Sequence, residues 1–250
     1  MVNAYTMKQN RQIKGDAWMM LSGNWGPAIG VVLLARIIMG AAQMVVSIVM
    51  RLFSLFTVIP INMVSNGVTD IMAIPFIVIF FLLGMVVSLS LSMLIMAFEG
   101  VLNNGKASYF LQLSRTGHTV EFSTMFDGFS DFIRSALAGL LYGLYVWLWS
   151  LLLIVPGIVF SIAYSQVFFI LRDHPGLKAP EALRRSRAMM KGAKAKYFWL
   201  MLSFIGWFLL TLISFGIAAI WMGPYVWAAR TKFYDELKAN QEDNMTEAIA

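Results

Sequence analysis

The sequence predicts an all-α fold, a polytopic helical membrane protein with about six transmembrane helices. Its 250 residues are 59% hydrophobic and only 13% charged, with a mean hydropathy of +0.73, whereas a soluble domain carries roughly 25% charged residues. Several apolar runs approach the ~20 residues that a helix needs to cross a bilayer core about 30 Å thick. The alternating ten-residue pattern of an outer-membrane barrel is absent. We therefore treat residues 1–250 as one integral membrane domain.

The N-terminal half predicts one surface helix and two crossings. Residues 6–22 alternate apolar with basic side chains, which is typical of an amphipathic helix at the membrane surface. A Gly-Pro step then starts the first membrane segment, 26–50, and a second follows at 71–98. Residues 51–70 predict a loop, and the polar interval 100–134 predicts two short helices packed against the membrane surface.

Two further apolar stretches are too long for single crossings. Residues 135–171 are broken at Pro156-Gly157, and residues 197–229 at Phe215-Gly216. As straight helices each would measure ~50 Å, well beyond the bilayer core. We expect each to fold back into a hairpin, followed by a polar tail at 236–250. The hairpin arms are predicted at 135–155, 157–171, 197–214 and 216–229.

The basic residues set the orientation. Eight of the 25 residues in 172–196, between the two hairpins, are Lys or Arg. Because such residues concentrate on the cytoplasmic side, hairpins that fold back place all of the 19 basic residues except Arg36 and Arg51 inside, with both termini cytoplasmic. The net charge of +6 is thereby explained without a nucleic-acid partner.

Catalytic signatures are absent. Zero cysteine excludes disulfides, thiolate catalysis and iron–sulfur clusters. His118 and His174 are isolated, and no zinc-protease, nucleophile-elbow or phosphate-loop pattern occurs. The sequence therefore predicts no enzyme, no cofactor and no metal site.

Polar residues inside apolar runs form the candidate intramembrane site. Arg36 lies ~15 Å beyond the start of the first crossing, where a charge costs at least ~2.5 kcal/mol unless paired or hydrated. Two interpretations stay open: a polar pathway between helices, or a structural arginine that snorkels or pairs with Glu99, with the other polar groups bonding helices together. The residues concerned are Arg36, Gln43, Ser47, Glu99, Tyr164 and Ser165.

The basic segment supplies candidate contacts to anionic lipid headgroups, each contributing roughly 1 kcal/mol. They are Arg184, Arg185, Arg187 and Lys191. An orientation anchor is the favoured interpretation, and a specific anionic ligand the alternative. Beyond the bilayer, a membrane-protein partner or a second copy of the chain remains open.

Seven motifs in order resemble one family. They are Gly23-Asn24-Trp25-Gly26, Tyr109-Phe110-Leu111, Met125-Phe126-Asp127-Gly128-Phe129, Pro156-Gly157-Ile158 followed by Tyr164-Ser165, Met190-Lys191-Gly192, Leu202-Ser203-Phe204-Ile205-Gly206-Trp207, and Pro224-Tyr225 followed by Phe233-Tyr234. They are similar to the multi-pass membrane proteins of Gram-positive bacteria grouped as domain-of-unknown-function family 975. The Pro-Gly and Tyr-Ser motifs also resemble the membrane domain of some glycerophosphodiester phosphodiesterases, although no phosphodiesterase domain is present. The resemblance implies an architecture and a cell membrane, but no reaction.

Three functional hypotheses follow. The first is a transport or export component, or an accessory to one, including tolerance to membrane-active peptides, because polar faces and short discontinuous helices are typical of transporters. The alternative is a non-catalytic scaffold or regulator that recruits a partner at the cytoplasmic face. An intramembrane enzyme has almost no support from the residues. We favour the first.

Overall fold

The computed structural model describes the backbone of residues 7–65 and 74–249, and within these ranges the side chains other than those of 57–65, 76 and 243–249. The chain is 85% helical, and the described residues contain no strand. The all-α prediction is confirmed. Five stretches of the described chain are long and apolar enough to cross a membrane: Trp25–Phe56, Ile77–Thr116, Phe132–Leu152, Ile154–Asp173 and Lys194–Ile213.

The chain divides into two compact units. The smaller, Arg36–Met96, is named here the hairpin unit; the main unit comprises Met1–Ala35 and Ala97–Ala250. Two long helices, α2 (Trp25–Ser65) and α3 (Ile74–Thr116), run through both. Within the hairpin unit, Phe56 stacks on Phe80 with 5.9 Å between ring centroids. Its large apolar side chains are mostly exposed, as expected for a surface that faces lipid.

Both long helices continue past their predicted ends. The first was expected to stop at residue 50, but α2 extends to Ser65 because residues 51–65 are predominantly apolar and a proline is tolerated in a membrane helix. The second was expected to stop at residue 98, and two short helices were expected at 100–134. Instead α3 runs to Thr116 and ends before Gly117, whose φ of +65° stops the helix. A 3-10 helix, Phe122–Phe126, and α4 (Asp127–Ser130) fill the remainder.

The N-terminal helix packs on protein in addition to exposing apolar side chains. Helix α1 (Asn10–Leu21) buries Ile13, Ala17 and Leu21 and contacts α9 (Lys194–Leu202) and α11 (Ala219–Ile249). The Asn10 side-chain amide donates to the Lys196 carbonyl at 3.2 Å. The helix itself is present at the expected place, and its location at the membrane surface stays a prediction. The amphipathic pattern is real, but much of its apolar stripe is buried by the fold itself.

Helix α3 meets α4 and α5 (Phe132–Leu152) backbone to backbone. Gly100 faces Gly139, and Gly105 faces the Met125 carbonyl in the preceding 3-10 helix. A methyl group at either glycine would overlap backbone atoms of the neighbouring segment. These contacts pack the C-terminal part of α3, from residue 100 onward, against the rest of the main unit. Tyr109 and Phe110 in this part of the helix are fully buried.

The first hairpin turns three residues earlier than expected. Helix α5 ends at Leu152, the extended residue Leu153 makes the turn, and α6 (Ile154–Ala163) begins at once. Pro156 lies in the first turn of α6, where its missing N–H costs nothing. Gly157 is inside the helix, buried against Ser150 of α5, so it serves close packing and not the turn.

The second hairpin turns where the sequence places it, but its return arm differs. After α9, helix α10 (Ile205–Ile213) leads to Phe215 and Gly216, which have φ values of +51° and +92°. The return helix is α11, which continues unbroken through the region expected to be a polar tail. Its apolar start, 219–229, rises only about 16 Å, too short for a crossing. Six predicted crossings therefore become five stretches of sufficient length in the described chain.

Candidate functional site

A helix break between α6 and α7 (Val167–Asp173) is the centre of the main unit's polar interior. The chain leaves α6 at Ala163, makes a tight turn over Tyr164, Ser165 and Gln166, and resumes as α7. These three residues are 6%, 5% and 0% exposed. The helical hydrogen bonds are thus interrupted at a place where polar side chains are also buried. These backbone and side-chain groups therefore need hydrogen-bond partners from neighbouring helices.

Helix α8 (Ala179–Met189) supplies one of these partners. The Ser186 hydroxyl donates to the Ala163 carbonyl at 2.9 Å and accepts from the Gln166 backbone N–H at 3.2 Å. The Gln166 side-chain amide donates to the Ser165 hydroxyl at 2.8 Å. Ser186 therefore bridges the two groups that a continuous helix would satisfy internally, and the break is a built feature of the fold.

Arg230 of α11 supplies the second partner. Its guanidinium donates to the Ser165 carbonyl at 3.1 Å and lies 4.6 Å from the Trp227 ring centroid. The same guanidinium lies 6.0 Å from the Phe169 ring centroid. A cation is thereby held against aromatic faces beside the interrupted backbone, where low polarity strengthens its interactions.

Two buried polar atoms in this cluster have no hydrogen-bond partner among the described residues. They are the Gln166 side-chain oxygen and the Arg230 Nε. Buried polar groups in native proteins are normally paired, so an unpaired acceptor and an unpaired donor beside one helix break indicate capacity for a ligand or for water. We name Ser165, Gln166 and Arg230 the break cluster.

A second polar cluster joins the C-terminal ends of α3 and α7 to the middle of α11. The Asp173 carboxylate, only 2% exposed, accepts from Arg115 at 2.6 Å, from Lys238 at 3.0 Å and from the Tyr234 hydroxyl at 2.9 Å. Burial, together with the charge of Asp173, raises the pKa of the Tyr234 phenol, so this hydroxyl stays protonated and donates. This arrangement holds three helices together, and we name these four residues the Asp173 junction.

The neighbouring Asp235 extends this junction. Its carboxylate accepts from the Ser114 hydroxyl at 2.5 Å, and that hydroxyl accepts from Lys232 at 2.9 Å. Burial raises the pKa of Asp235 above its usual range in spite of these contacts. Asp173 and Asp235, which follow the return arms of the two hairpins in sequence, thus contact the same end of α3.

The predicted site residues are distributed over both units. Arg36, Gln43 and Ser47 lie in the hairpin unit and are exposed, and the Ser47 hydroxyl donates to the Gln43 carbonyl of its own helix. In the main unit, Glu99 is exposed on α3, whereas Tyr164 and Ser165 are buried at the break. Ser165 is the predicted residue that the structure builds into a polar cluster.

Arg230 was missed, although it had a signal in sequence. It is the first charge after the apolar run 197–229 and follows Trp227 by three residues, a spacing that places both on one helix face. Gln166 stood out only as a polar residue in an apolar run. Its connection to Ser186 joins residues 20 positions apart, and no local pattern predicts it.

The four predicted lipid contacts are all exposed but do not form one surface. Arg184 and Arg187 line a groove between α5, α6 and α8. Arg185 instead lines a separate cleft with His174 and Lys238, and Lys191 follows the end of α8. The structure thus separates a pair of arginines from the remainder of the basic segment.

Residues 151–241 match the model of a family described as a protein of unknown function (DUF975). The matched region begins at the turn of the first hairpin and includes the break cluster, α8, the second hairpin and most of the Asp173 junction. No curated protein and no solved structure matches the chain.

Proposed function

We propose that the chain is a component of a membrane transport or export system, with the break cluster as its ligand site. The observation that carries the proposal is the buried break at Tyr164–Gln166 with two unpaired polar atoms beside it. Secondary transporters form substrate sites from discontinuous helices, because the interrupted backbone and its neighbours offer hydrogen bonds that a continuous helix uses internally.

The break cluster suits a ligand that both donates and accepts hydrogen bonds. The Gln166 oxygen accepts a hydrogen bond, and the Arg230 Nε donates one. A peptide amide carries both functions within one group. This supports the narrower proposal that the exported or neutralised species is a membrane-active peptide.

The proposed location is the cell membrane of a Gram-positive bacterium, with both termini cytoplasmic. Because 219–229 is too short to cross, this orientation requires the second hairpin to enter the bilayer and return to the same side. The charge distribution over the two units supports this orientation. Of the 19 basic residues, the hairpin unit contains only Arg36 and Arg51, and the main unit contains the others. Lysine and arginine concentrate on the cytoplasmic side, so the polar segments of the main unit that contain them are assigned to that side.

A scaffold that recruits a partner at the cytoplasmic face is the second candidate. It is favoured by the exposed face of α8, on which Arg184, Arg185 and Arg187 project from a helix whose opposite face is buried. In this case the break cluster serves only to rigidify the main unit. The similarity to the membrane domain of some glycerophosphodiester phosphodiesterases is compatible with either role.

Flux through purified protein in liposomes tests the proposal. Vesicles with the full chain are expected to take up a fluorescently labelled cationic membrane-active peptide faster than empty vesicles. Gln166→Leu is expected to return uptake to the empty-vesicle rate, because it removes the acceptor at the break. Gln112→Leu, at an exposed position on α3, is the matched control and is expected to leave uptake unchanged.

Two results would contradict the transport role. One is uptake indistinguishable from empty vesicles, combined with a stoichiometric partner recovered by crosslinked pull-down from native membranes, which would favour the scaffold. The other is equal uptake by the Gln166→Leu and Gln112→Leu variants, which would remove the break cluster from the path.

A further inference from the structure

A groove of about 540 Å³ lies between α5, α6 and α8 and shares Tyr164 with the helix break. Four aromatic side chains line it: Tyr145 and Trp149 from α5, Phe160 from α6, and Tyr164 from the turn that follows α6. Arg184 and Arg187 come from α8. One groove therefore presents an apolar wall and two guanidinium groups.

The aromatic wall is pre-organised. Trp149 stacks on Phe160 with 4.2 Å between centroids and an interplanar angle of 9°, and Tyr145 stacks on Tyr164 at 5.7 Å. Since these rings are fixed by their neighbours, a flexible chain laid against them costs the protein little ordering entropy.

The two arginines point to the same place and retain free hydrogen-bonding capacity. They are three residues apart on α8, so they share one helix face. Arg187 lies 5.7 Å from the Phe160 ring centroid and makes no ion pair within the described part of the chain. Arg184 approaches Glu181 only at 4.0 Å, which leaves most of its donors available.

The charges of α8 fix the depth of the groove in the bilayer. Arginine in hydrocarbon costs roughly 2.5–3.5 kcal/mol even by the most lenient scale, so a helix that exposes three arginines lies at headgroup level. The turn of the first hairpin, beyond the groove, is apolar and exposed: the Ile154 residue is 77% exposed and Leu152 is 69% exposed. The groove therefore extends from the headgroup region toward the acyl chains, and its tyrosines and tryptophan are typical of that boundary.

We infer that this groove binds a single anionic phospholipid. The phosphate is held by Arg184 and Arg187, whose planar guanidinium groups match phosphate oxygens, and one acyl chain lies along the aromatic wall. Arg185 and Lys191 contribute only to the non-specific electrostatic attraction between the protein and an anionic membrane surface. This site is independent of the proposed transport role.

Native mass spectrometry of the purified full chain tests the site. The protein in detergent is titrated with phosphatidylglycerol, with phosphatidylcholine of the same acyl chains, and with inorganic phosphate as competitor. One phosphatidylglycerol is expected to bind about 10-fold or more tightly than phosphatidylcholine, since two basic contacts contribute roughly 1 kcal/mol each. Inorganic phosphate is expected not to displace it.

Two double variants, each of which removes two positive charges, distinguish a specific lipid site from non-specific electrostatic attraction. Arg184→Gln with Arg187→Gln is expected to abolish the preference for phosphatidylglycerol. Arg185→Gln with Lys191→Gln is expected to leave it within about 2-fold, and matched thermal unfolding confirms that both variants fold. Equal weakening by the two pairs would overturn the inference, as would a lack of lipid preference in the wild type. Displacement by millimolar inorganic phosphate would also overturn it and indicate a free-anion site.

Discussion

Replacing Gly105 with alanine is expected to destabilise the protein by about 3 kcal/mol or to prevent folding. The added methyl group would overlap the Met125 carbonyl, a backbone atom that cannot rotate away as a side chain can. On the opposing segment, Gly128 faces the Val101 carbonyl and lies beside Gly105 itself. The backbone atoms on both sides of this contact are therefore too closely packed to move apart for an added methyl group.

Gly15 provides the matched control. It lies in the middle of α1, is exposed, and has no heavy atom within 4 Å of an added Cβ. Gly15→Ala is therefore expected to stabilise the protein by up to about 1 kcal/mol, since alanine loses less backbone entropy in a helix. Thermal unfolding in detergent compares the two; equal unfolding midpoints would show that the α3–α4 contact is not tight.

The second large effect is expected from Asp173→Asn, which should cost about 2–3 kcal/mol. The carboxylate is almost fully buried and accepts from two cations and a phenol. An asparagine has one acceptor oxygen and turns an amide N–H₂ toward a cation, either Arg115 or Lys238, that can only donate. The ends of α3 and α7 and the middle of α11 would lose the charge that joins them.

Asp131→Asn is the control for that change. Asp131 also pairs with an arginine at 2.6 Å, but it is 41% exposed and its partner Arg134 donates to several carbonyls besides. An exposed pair of this kind contributes at most about 1 kcal/mol. If Asp131→Asn lowered stability as much as Asp173→Asn, the junction would have no special structural role.

Turn geometry explains which parts of the fold were predictable. The turn at Phe215-Gly216 was located correctly because backbone with φ above zero selects glycine, and this preference is local. The turn at Pro156-Gly157 was placed wrongly because both residues also have other uses. Proline begins helices, and glycine permits helices to touch, so the same pair marks the first turn of α6 and its contact with Ser150.

The polar interior was only partly predictable, for a different reason. Polar residues in apolar runs, such as Ser165 and Gln166, are visible in sequence because their burial is costly. Their partners Ser186 and Arg230 lie in other helices, and the pairing arises only from tertiary packing. The separation of Arg184 and Arg187 from Arg185 likewise requires knowledge of which helices flank α8.

The assignment of the basic segment 172–196 to the cytoplasmic side is the central claim, and cysteine labelling tests it most directly because the chain has no cysteine. Position 66, in the connection expected outside and beyond the described residues, provides one site. Ala188, which is exposed on α8, provides the other.

The account predicts that Asn66→Cys reacts with an impermeant maleimide added to intact cells, and that Ala188→Cys reacts only after the membrane is permeabilised. Labelling of Ala188→Cys in intact cells, with Asn66→Cys protected until permeabilisation, would contradict it.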